Sequence, residues 1–165
     1  MPRILCFSRN RRTSVEQLDD QTMRSASSLQ DNLTEAWVEI VVTLPDLEII
    51  GVKGEVRRAL QGQNFDPTQV LQKVVGVRVG PGMLKIIKGL LGDDPHLDQL
   101  AFMVEECCYG IILSLTKDVL SECPQDEEKA KQYYTEMVQG NVRLYNRCAA
   151  FAPGSSIVEG IDPPT

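Results

Sequence analysis

The hydrophobic pattern of this chain changes its period once, and that change limits the fold more than any single motif does. Residues 36–44 alternate between two sides of an extended chain, as a β-strand with one buried face does. One side carries Val38, Ile40, Val42 and Leu44, and the other carries Trp37, Val41 and Thr43. After about residue 62, apolar residues recur instead at spacings of three and four, which is typical of helices. The chain is therefore predicted to form its strands first and its helices afterwards.

Four strands are predicted in the first third of the chain. Segments 4–16 and 22–29 flank a turn at Asp19-Asp20-Gln21, and segments 36–44 and 47–56 flank a turn at Pro45-Asp46. Strands followed by helices predict an α+β fold, with an N-terminal antiparallel sheet packed against three to four C-terminal helices.

Four helices are predicted after the strands. Asp66 and Pro67 begin a short helix, and a second helix follows the glycine-rich connector 76–82 and stops at Gly92. A third helix begins at Asp94-Pro95 and carries a broad buried stripe, which consists of Leu97, Leu100, Ala101, Val104, Cys108, Ile111, Ile112, Leu115 and Val119. A charged helix over 125–148 and an extended tail over 152–165 complete the prediction of one domain over 1–151.

Charge and cysteine content indicate the compartment and the classes of partner. The net charge of −6 disfavours nucleic acid and anionic membranes, since both require a basic surface. No apolar run reaches the roughly 20 residues that a membrane span needs. Five cysteines without a regular spacing favour reduced thiols. The expected location is the cytoplasm, with no nucleic acid and no membrane as partner.

Two segments have residues that could bind a ligand. Asp94, His96 and Cys148 form a candidate metal site, although the motif is explained more simply by Asp94 as a helix cap and His96 as an ordinary first-turn residue. Gly76-x-x-x-Gly80-Pro81-Gly82 precedes a helix and is a candidate anion site through Gly80 and Gly82, with Arg78 and Lys85 beside it. Glycines that permit a tight turn are the alternative there.

Cys107-Cys108 lies within the third helix and has two interpretations. Buried cysteines usually pack as small apolar side chains, whereas a reactive thiol requires an electropositive and partly exposed setting. The neighbouring Glu105-Glu106 favours the packing interpretation.

Candidate partner-binding residues lie near both ends of the chain. Arg9, Arg11 and Arg12 cluster on the first strand, where arginines either protect an edge strand from pairing or contact an acidic partner. In the tail, Ile157 and Val158 form a short apolar stretch that is suited to docking on a partner.

The chain resembles a bacterial family that carries only a domain-of-unknown-function label, over most of the length from Arg9 to Pro163. The resemblance is carried by Leu47-Glu-Ile-Ile-Gly-Val-Lys-Gly-Glu-Val56, Val75-Gly76-Val-Arg-Val-Gly80-Pro81-Gly82, Pro95-His96-Leu97-Asp98-Gln99-Leu100 and the closing segment 146–158. The order of elements is also distantly similar to iron–sulfur cluster scaffold proteins. The chain departs from the family at two positions, because 65–67 has no thiol and Asp94 stands where the family has a cysteine.

These observations predict a non-catalytic accessory or interaction domain, with a larger protein subunit or a second copy of the chain as partner. No cofactor is expected under this hypothesis. The alternative is a metal-binding or scaffold-like protein with a degenerate site, which would hold iron or zinc.

Overall fold

A computed structural model describes residues 4–59, 66–92, 95–140, 142–146 and 148–162. The chain divides into two compact units, Met1–Leu115 and Thr116–Thr165. The boundary between the units falls inside the long third helix, and one domain over 1–151 stays a prediction. Each unit is described by itself below.

The first unit begins with a four-stranded antiparallel sheet in the order β1-β2-β3-β4. Its strands are β1 (Arg9–Asp19), β2 (Thr22–Asp31), β3 (Glu35–Thr43) and β4 (Ile49–Arg58). Helices follow the strands along the chain, so the predicted α+β arrangement with an N-terminal antiparallel sheet is confirmed. The first strand begins later than predicted, because residues 4–8 are not part of the sheet.

The two faces of the sheet differ in burial, as the alternation in β3 predicts. Val38, Ile40 and Val42 are completely buried on one face, which we call the inner face. Trp37 and Val41 are half-buried on the opposite face, which we call the outer face. The core of the unit therefore lies on the inner face.

Three helices follow the sheet in the chain: α1 (Thr68–Leu71), α2 (Met83–Leu91) and the beginning of α3 (Pro95–Glu122). Asp66 accepts the backbone N–H of Thr68 at 2.9 Å and so supports the first turn of α1. Gly92 ends α2 with a φ of 84°, a left-handed conformation that glycine adopts without strain. The predicted stop at Gly92 is therefore confirmed.

The glycine-rich connector between α1 and α2 lies along the beginning of β4. The amide of Gly76 donates to the carbonyl of Ile49 at 2.8 Å, and the amide of Ile49 donates to the carbonyl of Val77 at 2.9 Å. The amide of Val79 donates to the carbonyl of Leu47 at 2.8 Å. The connector therefore occupies part of the β4 edge, while no described strand pairs with the free edge of β1.

Helix α3 crosses the inner face at β1 and β2 with a glycine at the contact. A β-carbon on Gly110 would lie 3.0 Å from Thr13 Cγ2 and 3.1 Å from Val15 Cγ2, so the missing side chain permits this close approach. The completely buried part of the stripe ends at Ile111, earlier than the predicted end at Val119, because Ile112 and Val119 are half-buried and Leu115 is exposed. Periodicity predicts which side of a helix is apolar but not where the covering sheet stops.

Leu97–Glu122 is also long and apolar enough to cross a membrane by length and composition alone. The sequence predicts no segment of that kind, and this is the one helix of the described chain that meets the criterion. Contact with the core of the first unit explains the buried apolar residues between Leu100 and Ile111, whereas Leu113, Leu115 and Leu120 are exposed.

The second unit contains α4 (Glu127–Gly140) and the residues that follow it. The predicted helix over 125–148 is shorter in the structure, because α4 ends at Gly140, a residue that destabilises helices. The predicted extended tail over 152–165 is instead a series of turns as far as it is described. Val158 is buried in it, and Thr135 Oγ1 of α4 donates to the carbonyl of Ile157 at 2.8 Å.

Candidate functional site

The outer face is the broad surface of the sheet on which no described side chain is buried. Strand register decides which side chains meet there, and pairs Trp37 with Glu55 and Glu39 with Lys53. The face consists of Asn10, Arg12, Ser14, Glu16, Arg24, Ala26, Ser28, Gln30, Glu35, Trp37, Glu39, Val41, Gly51, Lys53, Glu55 and Arg57. Long polar side chains therefore surround one large aromatic residue.

A shallow groove of about 200 Å³ lies beside Trp37. It is lined by Asn10, Ser28, Leu29, Gln30, Glu35, Ala36, Trp37 and Arg57. Pockets that enclose small molecules usually have volumes of roughly 300–1,000 Å³. The groove is thus better matched to one inserted side chain than to an enclosed substrate.

Hydrogen bonds fix the indole of Trp37 within this face. Its Nε1 donates to Glu55 Oε2 at 2.9 Å, and Arg57 Nε lies 3.2 Å from the same carboxylate oxygen. The bond from Trp37 lowers the pKa of Glu55; slight burial opposes this shift and Arg57 adds to it. Glu55 therefore stays ionised and holds both neighbours in place.

Most positive side chains of the outer face lie close to negative side chains of the same face. Arg24 pairs with Glu16 and lies 3.9 Å from Glu39, and the hydrogen bond to Glu16 raises the pKa of the guanidinium. Arg57 also lies 3.8 Å from Glu35. Because these cations already face carboxylates, the surface offers a polyanion little unpaired positive charge. Mixed polar contact with another protein suits it better.

The predicted metal site lies mostly outside the described residues. Asp94 is one of the residues outside the description, as is the side chain of His96. Cys148 is an exposed thiol of the second unit. Over the described part of the chain, no group of three His, Cys, Asp or Glu side chains is suited to hold a metal ion. The joint site of these residues therefore stays a prediction.

The predicted anion site has internal partners for two of its groups. Arg78 Nε lies 3.9 Å from Glu48 Oε2, and the amide of Gly80 donates to Met83 Sδ at 3.3 Å. Gly82 has a φ of 83° and precedes α2, as a tight turn into a helix requires. Lys85 is exposed one turn later. These contacts support the turn interpretation, and an anion at the connector stays a prediction.

The arginines of β1 have different surroundings. Arg9 Nε donates to Asp31 Oδ2 at 2.8 Å, and the guanidinium of Arg11 lies 4.5 Å from the ring centre of Phe102. Arg12 lies on the outer face and is exposed. Two of the three predicted partner-binding arginines thus contact their own chain.

The tail residues predicted to bind a partner also have contacts within their own unit. Val158 is buried, and Ile157 is half-buried with its carbonyl hydrogen-bonded to Thr135. Docking of this segment on another protein would first require it to leave α4.

Both thiols of Cys107 and Cys108 are buried beneath the sheet, which confirms the packing interpretation. Cys107 Sγ donates to the carbonyl of Val38 at 3.6 Å. Burial raises the pKa of Cys107 to about 12, although the neighbouring Ser25 opposes the shift. Burial and the charge of Glu105 raise the pKa of Cys108 to about 12 as well.

We expect Cys107 and Cys108 to resist alkylation in the folded protein, because reaction requires access and a thiolate. At neutral pH a thiol with so high a pKa holds on the order of a thousandfold less thiolate than an ordinary cysteine. The exposed Cys6 and Cys148 serve as internal references. Mass spectrometry after iodoacetamide treatment measures each site, and equal labelling of all four thiols before unfolding would contradict the packing assignment.

Trp37, Glu55 and Arg57 are functional candidates that the sequence reasoning missed. Alternation correctly places Trp37 opposite the buried residues of its strand, and an aromatic residue on that face was the available signal. Its carboxylate partner comes from another strand, so only the register identifies it.

Comparisons with known proteins found no matching protein-family model, no matching curated protein and no matching solved structure. The resemblance to a bacterial family of unknown function therefore stays a prediction.

Proposed function

We propose that the chain is a non-catalytic accessory domain that binds a larger protein subunit through the outer face of its sheet. The observation that carries this proposal is the half-buried Trp37, which stands beside a groove the size of one side chain. Tryptophan and arginine are the residues that most often dominate protein interfaces. Trp37 and Arg57 line the groove together.

The charge arrangement supports a protein as the occupant. Carboxylates and cations alternate on the face and are largely paired. A partner whose surface carries mostly one sign of charge would therefore gain little binding energy there. A partner with a mixed polar surface and one apolar side chain for the groove matches both properties. We therefore place the principal contacts at Trp37 and Arg57, with Glu55 as the residue that positions them.

The test is a comparison of tagged parent and variant chains expressed at native level in the source cell. The parent is expected to retain one larger protein at near-equal molar amount after gentle lysis. Trp37→Ala and Arg57→Ala are expected to reduce the retained amount at least tenfold, as truncation of a dominant contact costs about 2 kcal/mol or more. Lys53→Ala is the matched control, because Lys53 is exposed on the same face without lining the groove.

Two results would contradict the proposal. One is recovery of the parent without a larger protein under these conditions. The other is equal retention by the parent and both groove variants while their unfolding midpoints match.

A further inference from the structure

The free edge of β1 offers a second surface, distinct from the outer face. β1 has 11 residues and stands at the end of the strand order, so one side of its backbone has no partner strand in the described chain. Most of its side chains are exposed. Exposed edges of this length are templates for pairing with another strand.

We propose that β1 pairs with β1 of a second copy of the chain, which joins two sheets into one of eight strands. A two-fold axis perpendicular to the sheet makes the paired strands antiparallel and keeps both inner faces on one side. Residues that face each other must then share a face, and so their numbers must both be odd or both be even. Ser14 is the middle residue of β1 and is placed at the axis.

Charge complementarity selects this register. With Ser14 opposite itself, Arg12 lies opposite Glu16 of the second copy on the outer face, where the Glu16 carboxylate would lie between Arg12 and the Arg24 of its own subunit. Symmetry makes this pair occur twice. A shift to the next allowed register on either side places Arg12 opposite Ser14 or Leu18, which carry no charge.

Arginines on an edge strand can also prevent pairing, and their contacts decide between the two roles. Arg9 is bound to Asp31, and Arg11 stacks on Phe102 over the inner face. These two side chains contact their own subunit and therefore do not block pairing at the edge. Arg12 is the one positioned to meet a carboxylate across it.

The side of α3 above this edge has exposed apolar residues. Phe102, Tyr109 and Leu113 lie on one face of the helix because they are separated by seven and four residues. Phe102 contacts Arg11 of β1, so this face is directed toward the β1 edge. Tyr109 is 43% exposed and Leu113 is 67% exposed. Pairing about the axis brings the same face of a second α3 beside them.

This inference concerns the strand edge and does not depend on the proposed function of the outer face. Analytical ultracentrifugation of the full chain is expected to find a dimer that weakens as salt rises, since exposed charge pairs are screened. Arg12→Glu creates two like-charge contacts per dimer and is expected to weaken dimerisation about tenfold. The double variant Arg12→Glu/Glu16→Arg is expected to dimerise more tightly than Arg12→Glu alone, although it also breaks the Glu16–Arg24 pair within each subunit. Lys53→Glu is the control for the change in charge.

A crosslink tests the register directly. Facing Cα atoms of an antiparallel pair lie roughly 4.5–5.5 Å apart, which a disulfide can span. With Cys6, Cys123 and Cys148 replaced by serine, Ser14→Cys is expected to form a covalent dimer under mild oxidation, and Ser28→Cys on β2 is not. A monomer at all concentrations, equal effects of Arg12→Glu and Lys53→Glu, or equal crosslinking of the two cysteine variants would overturn the inference.

Discussion

Asp31→Ala is expected to lower the free energy of unfolding by about 3 kcal/mol, because it removes a buried carboxylate with several hydrogen-bond donors. The Asp31 side chain is completely buried at the end of β2. Its Oδ1 accepts the amides of Leu33 at 2.7 Å and Thr34 at 2.6 Å, and its Oδ2 accepts from Arg9. Without the carboxylate, the amides of Leu33 and Thr34 in the turn between β2 and β3 lose their hydrogen-bond acceptor.

Urea denaturation measures this effect, with Asp46→Ala as the control. Asp46 is an exposed aspartate in the turn between β3 and β4, so its replacement should change stability by less than about 0.5 kcal/mol. Equal effects of the two substitutions would show that the hydrogen bonds of Asp31 add no more to the free energy of unfolding than an exposed aspartate does.

The pH dependence of stability provides a second test of Asp31. Burial raises the pKa of this carboxyl, but the amides of Leu33 and Thr34 and the bond from Arg9 lower it by more. The folded pKa thus lies below the unfolded value of about 3.9. The stabilisation is present above that value and is lost as pH falls through the folded pKa. The stability difference between the parent and Asp31→Asn should therefore shrink below about pH 4; a constant difference would contradict the assignment.

Gly54→Ala is expected to lower the free energy of unfolding by about 2 kcal/mol through overpacking. A β-carbon at this position would lie 2.6 Å from Leu71 Cδ1 and 3.0 Å from the carbonyl oxygen of Trp37. Leu71 is completely buried, so it cannot move away without disturbing α1.

The neighbouring Gly51 gives a control in the same strand. A β-carbon there would have its nearest contact at 3.9 Å, from Val41 Cβ, so Gly51→Ala should leave stability within about 0.5 kcal/mol of the parent. Thermal unfolding of both variants measures the comparison. Equal midpoints for both variants would contradict the close packing of α1 on β4.

The sequence predicts the sheet best where one face is buried. In β3, the alternation of Val38, Ile40 and Val42 identifies both the strand and its inner face. The start of β1 is less predictable, because Ile4 and Leu5 suggest a strand but are exposed outside the sheet. An apolar residue in an unpaired segment carries no information on register.

Long-range contacts explain what the sequence could not predict. The periodicity of α3 does not indicate that the sheet stops covering it after Ile111. The outer-face cluster depends on strand register, since Trp37 and Glu55 are far apart in sequence and meet across β3 and β4. Likewise, Arg9 and Asp31 form an ion pair only after β1 and β2 pair.

The central claim is that the outer face binds a larger protein, and hydroxyl-radical footprinting of Trp37 tests it most directly. Trp37 is the single tryptophan of the chain, so its oxidation is assigned without ambiguity. We expect Trp37 to be oxidised several-fold more slowly in the assembly isolated at native expression level than in the purified chain, while the exposed Leu120 reacts equally in both. Equal oxidation of Trp37 in the two samples would contradict the claim.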